Sequence, residues 1–272
     1  MQHRVRIVAV TLLALASTRL TAQDEGITIR MAPMPSQTIH QRMTIATAMT
    51  VAPALASADS PSPPPELVDI ATTMDLTSTV GPLDNRGEYD ARVVIEHATM
   101  TATSHGQVAA PQVGGHGPTV LFRYDDHGRM TGATVESEGG YVDTAVTRAM
   151  TAMLATVAPI TLSIGQTVTV PMETPVPLPG GSSLSTRGET RLTLTSVSFD
   201  GADRIAHLAV TTTTSEIPTI SEGKMDVNID RGIVVHNEEK TTLGGLSSAS
   251  LRPAKPGDVI RTTVTVSMDL VR

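Results

Sequence analysis

Histidines are the residues in this sequence with the widest chemical repertoire, and three of them lie within twenty residues of one another. His97 follows Glu96 in a strand-like segment, and His105 and His116 lie in the Gly-, Pro- and His-rich loop that follows. Imidazole and carboxylate groups are typical metal ligands. Their spacing matches no compact ligand pair, so we interpret them as solvent-facing histidines and predict no metal site.

A second group with chemical potential is Asp125, Asp126 and His127, which precede Gly128. Two carboxylates beside an imidazole can bind calcium or transfer protons. The segment is too short for an EF-hand loop, and Asp and Gly are also the residues that tight turns require. We therefore interpret it as the tip of a β-hairpin that spans TVLFRYDDHGRMTGATVE.

The segment Ser221-Glu222-Gly223-Lys224 matches the S-x-x-K spacing of serine β-lactamases, in which the lysine lies one helical turn from the nucleophile. Here the flanking residues alternate as in a strand, and neither K-T-G nor S-D-N occurs in the chain. G-x-S-x-G, G-x-G-x-x-G and P-loop motifs are missing as well. The sequence assembles no nucleophile with a base and an orienting group, so we predict no catalytic residues and no enzymatic activity.

Composition excludes several further functions. The 272 residues carry a formal net charge of −7, and only 2% of them are aromatic, which disfavours binding to nucleic acid. The chain has no Cys, which excludes disulfides, thiolate metal sites and a lipidated cysteine. No motif indicates a cofactor. Because there is no Trp, a core must be built from Val, Ile, Leu, Met and Ala.

Most of the chain alternates between apolar and polar residues, which is the period of a β-strand. The clearest cases are Ile39 to Val51, Leu67 to Val80, Tyr89 to Met100 and Val259 to Val271. A turn that contains Gly, and usually Asp, recurs between such segments. These turns lie near Gly87, Gly128, Gly201 and Gly232, and each predicts a hairpin.

One stretch, Tyr141 to Val157, has helical spacing instead. Its apolar residues fall on one stripe at intervals of three and four, with Gly139-Gly140 before it and Pro159 after it. The sequence therefore predicts a mainly β protein of the α+β class. We expect a strongly curved antiparallel sheet or half-barrel of long strands, with one amphipathic helix packed on its concave side.

The expected organisation is a signal peptide over residues 1–22 and a single β-rich domain over residues 23–272. Arg4 and Arg6 precede a short apolar run, as in secretory signals. Cleavage would remove three arginines and no acid, changing the net charge from −7 to −10. Pro53 to Pro65 is interpreted as a loop insertion in a hairpin, and Pro171 to Gly181 as an irregular connection. We expect export to the periplasm or the extracellular space, with no integral membrane span after cleavage.

Methionines give the best indication of function, because thioether side chains adapt to varied apolar ligands. We hypothesise non-enzymatic binding or carriage of an apolar or lipid ligand between the sheet and the helix. The predicted ligand-binding residues are Met43, Met74, Val146, Met150, Met153 and Leu154. The alternatives are that these residues only fill the core, that the protein is a structural or protein-interaction module of the cell envelope, or that distant residues converge into a hydrolase site.

The hairpin, the helix and the segment Leu162-Ser163-Ile164-Gly165-Gln166-Thr167-Val168 together resemble a group of uncharacterised secreted bacterial proteins. In that group the segment reads Val-x-x-Gly-Asp-x-Trp, so Gln166 replaces the acid and Val168 the Trp. The closing PGDVIRTTVTVSMDL also fits, and the resemblance covers about residues 38–271. The expected architecture is similar at the level of fold to the lipoprotein carriers LolA, LolB and LppX, which implies a half-barrel around acyl chains.

Overall fold

The computed structural model describes residues 26–52, 66–104, 107–109, 111–114, 117, 119–137, 159–177, 183–214, 219–247 and 259–271. These residues form fifteen β-strands. They are β1 (Ile27–Ile29), β2 (Thr38–Ala52), β3 (Glu66–Val80), β4 (Glu88–Ser104), β5 (Gln107–Val108), β6 (Gln112–Gly114), β7 (Thr119–Asp125), β8 (Met130–Ser137), β9 (Ile160–Leu162), β10 (Thr167–Pro177), β11 (Ser183–Asp200), β12 (Asp203–Thr214), β13 (Thr219–Asn228), β14 (Ile233–Ser247) and β15 (Val259–Leu270).

The strands form two antiparallel sheets. The large sheet has thirteen strands, in the order β10-β11-β12-β13-β14-β15-β2-β3-β4-β7-β8, with β5 and β6 also paired to β4. The small sheet is a two-stranded ribbon of β1 and β9. Strand β15, near the end of the chain, pairs with β2, near its beginning, so the large sheet is continuous from β10 to β8.

The predicted α+β class is wrong, because the described residues contain strands and turns but no helix. The antiparallel sheet of long strands is confirmed. The stretch in which the helix was expected, Tyr141 to Val157, lies outside the described residues, as do the predicted signal peptide and the insertion Pro53 to Pro65. Across the part of the chain that is described, no helix is long and apolar enough to cross a membrane.

All four predicted hairpin turns are confirmed. Each contains a glycine with positive φ, from +65° at Gly201 to +79° at Gly87, a conformation that costs glycine little. Gly201 and Gly128 join the hairpins β11–β12 and β7–β8. Turn chemistry thus fixes where the long strands reverse, and apolar alternation fixes which face of each strand is buried.

The segment after Gly165 departs from the prediction of an irregular connection over Pro171 to Gly181. Gly165, with φ +85°, separates β9 of the small sheet from β10 of the large sheet. Strand β10 continues to Pro177 because it lies at the edge of the sheet. Pro171, Pro175 and Pro177 share one parity, so their missing N–H groups can all fall on the side without a neighbouring strand.

Buried apolar side chains lie mainly on one face of the large sheet, which we call the inner face; the opposite face is the outer face. The β1–β9 ribbon packs on the inner face of β11, β12 and β13, where Ile29 and Leu162 are both 1% exposed. Leu192, Leu194 and Leu208 form the other side of this contact. Among the described residues, the β1–β9 ribbon covers part of the inner face. The sequence instead predicts a helix packed on the concave side of the sheet.

Residues 30–34, which we call the crossing segment, lie between two hairpin turns. Ala32 is completely buried, and a Cβ atom at Gly232 would clash with its backbone oxygen. A Cβ atom at Gly128 would clash with the Arg30 side chain and would lie 3.1 Å from the Ala32 Cβ. Arg30 donates a hydrogen bond to the Tyr89 hydroxyl at 2.7 Å. Because the two turns belong to strands far apart in the order of the sheet, the sheet must curl around the crossing segment.

Candidate functional site

A line of polar and charged side chains crosses the outer face through eight neighbouring strands. In the register of the sheet, each member lies beside or diagonally across from the next, one from each strand between β11 and β4. We call it the outer row, and it consists of Ser198, His207, Asp226, His236, Asp269, Arg42, Asp75 and His97.

Basic and acidic groups alternate along this row. His236 Nδ1 lies 2.6 Å from Asp269 Oδ1, and Arg42 Nε donates to Asp75 Oδ1 at 2.8 Å. The hydrogen bond to Asp75 raises the pKa of the Arg42 guanidinium. Opposite charges on adjacent strands stabilise a sheet by about 0.2–1 kcal/mol per pair, so most of this row is accounted for by cross-strand pairing.

The first three members of the row have the connectivity of a catalytic triad. Ser198 Oγ lies 2.7 Å from His207 Nε2, and His207 Nδ1 lies 2.7 Å from Asp226 Oδ1. The hydroxyl and the carboxylate therefore engage different nitrogens of one imidazole, as in serine hydrolases. Ser198 is exposed to solvent, and the side chains of His207 and Asp226 are 32% and 28% exposed.

A β-bulge in β11 brings the serine to the histidine. The register with β12 shifts by one residue between Leu194 and Ser196. The displaced residue, Thr195, donates its hydroxyl to the carbonyl oxygen of His207 at 2.9 Å. Without this shift, Ser198 would lie on the inner face, because side chains alternate along a strand.

A depression of about 450 Å³ lies further along the same strands, and none of the three triad residues lines it. Its lining is Asp200, Asp203, Ile205, Asn228, Arg231, Val235 and Leu270. Of these, Ile205 and Asn228 are two residues from His207 and Asp226 along their strands and therefore point to the same face. Asp203 accepts a hydrogen bond from Asn228 Nδ2 at 2.8 Å. The depression therefore lies near the ends of these strands, and Ile205, the register partner of Ser198, is the lining residue that connects it to the triad.

The inner face carries a second polar group, which we call the inner polar set: Ser221, Asn237, Glu239 and Thr241. The Ser221 hydroxyl, 3% exposed, donates to Glu239 Oε1 at 2.5 Å, and the Thr241 hydroxyl donates to Ser221 Oγ at 3.0 Å. These side chains come from β13 and β14, on the face where the neighbouring strands bury apolar residues.

Asn237 differs from the rest of the inner polar set in the hydrogen bonding of its side-chain oxygen. The residue is 9% exposed, and its Oδ1 is buried without a hydrogen-bond partner among the described residues. In the register, Asn237 is followed by Met268, Met43 and Met74 on the next three strands. We call these three residues the methionine row, and they are between 4% and 8% exposed.

The structure brings two of the predicted ligand-binding residues together. Met43 and Met74 are register partners in one buried cluster with Leu76, Ile95, Val266 and Met268. The other four predicted residues, Val146, Met150, Met153 and Leu154, lie outside the described residues. Packing with these four therefore stays a prediction.

The three histidines His97, His105 and His116 fall into different parts of the chain. His97 is exposed on the outer face of β4, where Asp75 is its register partner. His105 and His116 lie outside the described residues. Among described residues, His97 therefore belongs to the outer row of charges.

The group Asp125, Asp126 and His127 occupies the β7–β8 turn, as expected from its sequence. Its ligand atoms lie within 4.8 Å of one another, a spacing that a metal ion could bridge. The visible contacts serve the turn: Asp125 Oδ1 accepts the Arg129 N–H at 2.7 Å, and the Asp126 side chain bonds to His127. Arg30 donates to the Asp126 carbonyl at 3.3 Å, which ties the turn to the crossing segment.

The S-x-x-K match does not produce a site. Ser221 and Lys224 lie three positions apart in β13, so they project to opposite faces of the sheet. Ser221 is buried on the inner face, and Lys224 is exposed on the outer face. The lysine cannot activate the serine across the sheet.

Sequence reasoning missed the outer triad and the inner polar set. Part of the signal was present, because a two-residue turn at Gly201-Ala202 fixes Ser198 opposite Ile205. The bulge at Thr195 could not be predicted from the sequence, because it depends on packing and no motif marks it. Asn237 and Glu239 carry no motif and are identified only by their burial and register.

Comparisons with known proteins add little. No protein-family model matches the chain, and no curated protein matches it. Among solved structures, DynF from the dynemicin biosynthesis pathway of Micromonospora chersina aligns with 89% of this chain and 84% of its own at 6% identity, with a TM-score of 0.22. That similarity is too low to define a shared fold. The resemblance to secreted bacterial proteins and LolA-like carriers stays a prediction.

Proposed function

We propose that the inner face binds an amphiphilic ligand non-enzymatically, in a protein exported to the periplasm or the extracellular space. The polar group of the ligand lies at the inner polar set, and its apolar chain lies along the methionine row. The observation that carries the proposal is the buried Asn237 Oδ1, which has no partner among the described residues.

An unsatisfied buried acceptor costs about 1–3 kcal/mol, because the group has lost its water without gaining a hydrogen bond. A ligand that brings a donor to Asn237 removes this cost. Glu239, two residues along the same strand and on the same face, adds a carboxylate acceptor. The ligand therefore needs a hydroxyl or an ammonium group, because either one supplies the donor.

The apolar chain has a defined path from that point. Met268, Met43 and Met74 continue from Asn237 across β15, β2 and β3. Val266 and Ile45 form a second row on the same face, which continues from Glu239 across β15 and β2. Methionine side chains change conformation at low cost, so this row can separate to admit an alkyl chain and close when the ligand leaves.

The test is isothermal titration calorimetry with three probes of equal chain length: decylammonium, 1-decanol and decanoate. Decylammonium and decanol should bind, because both present a donor to the two acceptors. Decanoate should bind at least about tenfold more weakly, since a carboxylate offers no donor and is repelled by Glu239.

Two variants locate the site. Asn237→Leu and Glu239→Gln should each weaken decylammonium binding about tenfold, equivalent to roughly 1.4 kcal/mol. Glu238→Gln is the matched control, because Glu238 is exposed on the outer face of the same strand and should leave binding unchanged. Equal affinity for decanoate, or binding that is insensitive to both inner variants, would contradict the proposal.

A further inference from the structure

We propose that Ser198, His207 and Asp226 form a hydrolytic site for small uncharged carboxylic esters on the outer face of the sheet. This activity is independent of the ligand proposed for the inner face, because the two sets of side chains project from opposite faces. In this site Ser198 is the nucleophile, His207 is the general base and acid, and Asp226 orients the imidazole.

The hydrogen bonds define the proton positions that the reaction needs. A carboxylate only accepts, so His207 Nδ1 carries a proton and donates it to Asp226 Oδ1. His207 Nε2 is then the free acceptor, and the Ser198 hydroxyl donates to it. This tautomer is the one that removes a proton from an attacking hydroxyl group.

The edge of β11 supplies donors for the developing oxyanion. Strand β10 pairs with β11 only as far as Thr193, so residues 195–200 have no strand on that side within the described chain. In a hairpin with a two-residue turn, the pair Asp200–Asp203 exchanges hydrogen bonds, and the N–H groups of alternate residues point away from the partner. The N–H groups of Val197 and Phe199, on either side of Ser198, therefore face the open edge.

The substrate occupies the depression that is lined by Ile205, the register partner of Ser198. Ile205 is apolar and lies directly across from Ser198, where it can contact an acyl or alkyl group. Asp200, Asp203 and Arg231 also line the depression, and the excess of carboxylates disfavours an anionic substrate. These features select a small, uncharged ester.

The reaction proceeds in two halves. Ser198 Oγ adds to the ester carbonyl carbon while its proton moves to His207 Nε2, and the carbonyl oxygen takes the negative charge. The bond to the alcohol oxygen then breaks, His207 returns the proton to that oxygen, and an acyl-serine remains. Water repeats these steps with His207 as base, which releases the carboxylic acid and regenerates the Ser198 hydroxyl.

Two measurements on the full chain test this site. The first is hydrolysis of p-nitrophenyl acetate, which should be lost to background in Ser198→Ala and reduced at least about 100-fold in His207→Gln. The second is labelling with a fluorophosphonate, which should modify the peptide that contains Ser198, as read by mass spectrometry. Asp226→Asn should slow both reactions without abolishing the label.

Ser196→Ala is the matched control, because Ser196 is exposed on the same strand but its hydroxyl is not the one bonded to the ring. It should keep wild-type rates and labelling. Circular dichroism confirms that each variant is folded, which is expected because Ser198 is exposed. Wild-type hydrolysis by Ser198→Ala, labelling at another residue, or no labelling of the folded protein would each overturn the proposal.

Discussion

At the scale of single residues, Asp230 shows how one carboxylate connects two hairpins. It accepts hydrogen bonds from the Arg204 backbone N–H at 2.6 Å and from Arg204 Nη2 at 2.5 Å. The side-chain hydrogen bond with Arg204 holds the pKa of Asp230 below its ordinary value, and the backbone hydrogen bond acts in the same direction. Asp230 therefore links the β13–β14 turn to the start of β12.

This lowered pKa makes a prediction for stability as a function of pH. A depressed carboxyl pKa stabilises the fold above the unfolded-state value of about 3.9, and this contribution is lost as pH falls through the folded-state pKa. Asp230→Asn should therefore lower the free energy of unfolding by about 0.5–1 kcal/mol at pH 7, because the pair is partly exposed. The difference from wild type should disappear in acid.

Urea unfolding between pH 2 and pH 8 measures this difference. Glu222→Gln, which removes an exposed carboxylate from β13, is the control for a general effect of charge. If Asp230→Asn differs from wild type by the same amount at pH 2 and pH 7, the stabilisation does not come from the ionised carboxylate.

The β7–β8 turn and the triad of Ser198, His207 and Asp226 show which groups of residues can be predicted from a sequence. Asp125 to Gly128 was identifiable because local turn chemistry depends on adjacent residues. Ser198, His207 and Asp226 are separated by 9 and 19 positions, and only strand register brings them together. That register depends on the β-bulge at Thr195, and no residue type in the sequence predicts this bulge.

At the scale of elements, long strands could be predicted and short ones could not. Strand β2 shows its period over fifteen residues, whereas β1 and β9 have three residues each, too few for any period to appear. Their pairing is therefore visible only in three dimensions. The α+β class was wrong because it rested on one stretch, Tyr141 to Val157, whereas the described residues form strands and turns only.

The crossing segment gives a prediction at this scale. Gly232 and Gly201 have nearly the same φ, +68° and +65°, but Gly232 faces Ala32 and Gly201 has nothing nearby. Gly232→Ala should lower the free energy of unfolding by about 2–4 kcal/mol, because it combines backbone strain with a clash against the Ala32 backbone.

Gly201→Ala is the control, since it introduces the strain alone and should cost about 1 kcal/mol. Thermal unfolding followed by circular dichroism measures both variants. Equal losses of stability would show that the β13–β14 turn does not press on the crossing segment, and that the curl of the sheet does not depend on this contact.

At the scale of the whole molecule, β15 is the strand that joins the two ends of the chain. Its residues pair with β14 on one side and with β2 on the other, over nearly its full length. On one side of it lie β10 to β14, and on the other lie β2, β3, β4, β7 and β8. Since pairing is continuous on both sides, we expect the sheet to unfold as one cooperative unit.

Val266 tests this cooperativity because it lies in the middle of β15 on the inner face, 9% exposed, between Glu239 and Ile45. Val266→Ala removes two methyl groups and should lower the free energy of unfolding by about 1–2 kcal/mol. Thr265→Ala, on the outer face of the same strand, is the control and should cost less.

The readout compares two signals in one denaturant titration. Both variants carry Tyr141→Phe, because this third tyrosine lies outside the described residues. Tyrosine fluorescence then reports the side of the sheet that contains Tyr89 and Tyr124, whose rings stack with centroids 5.5 Å apart, and far-ultraviolet circular dichroism reports the strands of both sides. Because β15 is shared, both midpoints should shift together in Val266→Ala. A fluorescence midpoint that stays at the wild-type value while the dichroism midpoint moves would mean that the two sides unfold separately, and that β15 belongs to only one of them.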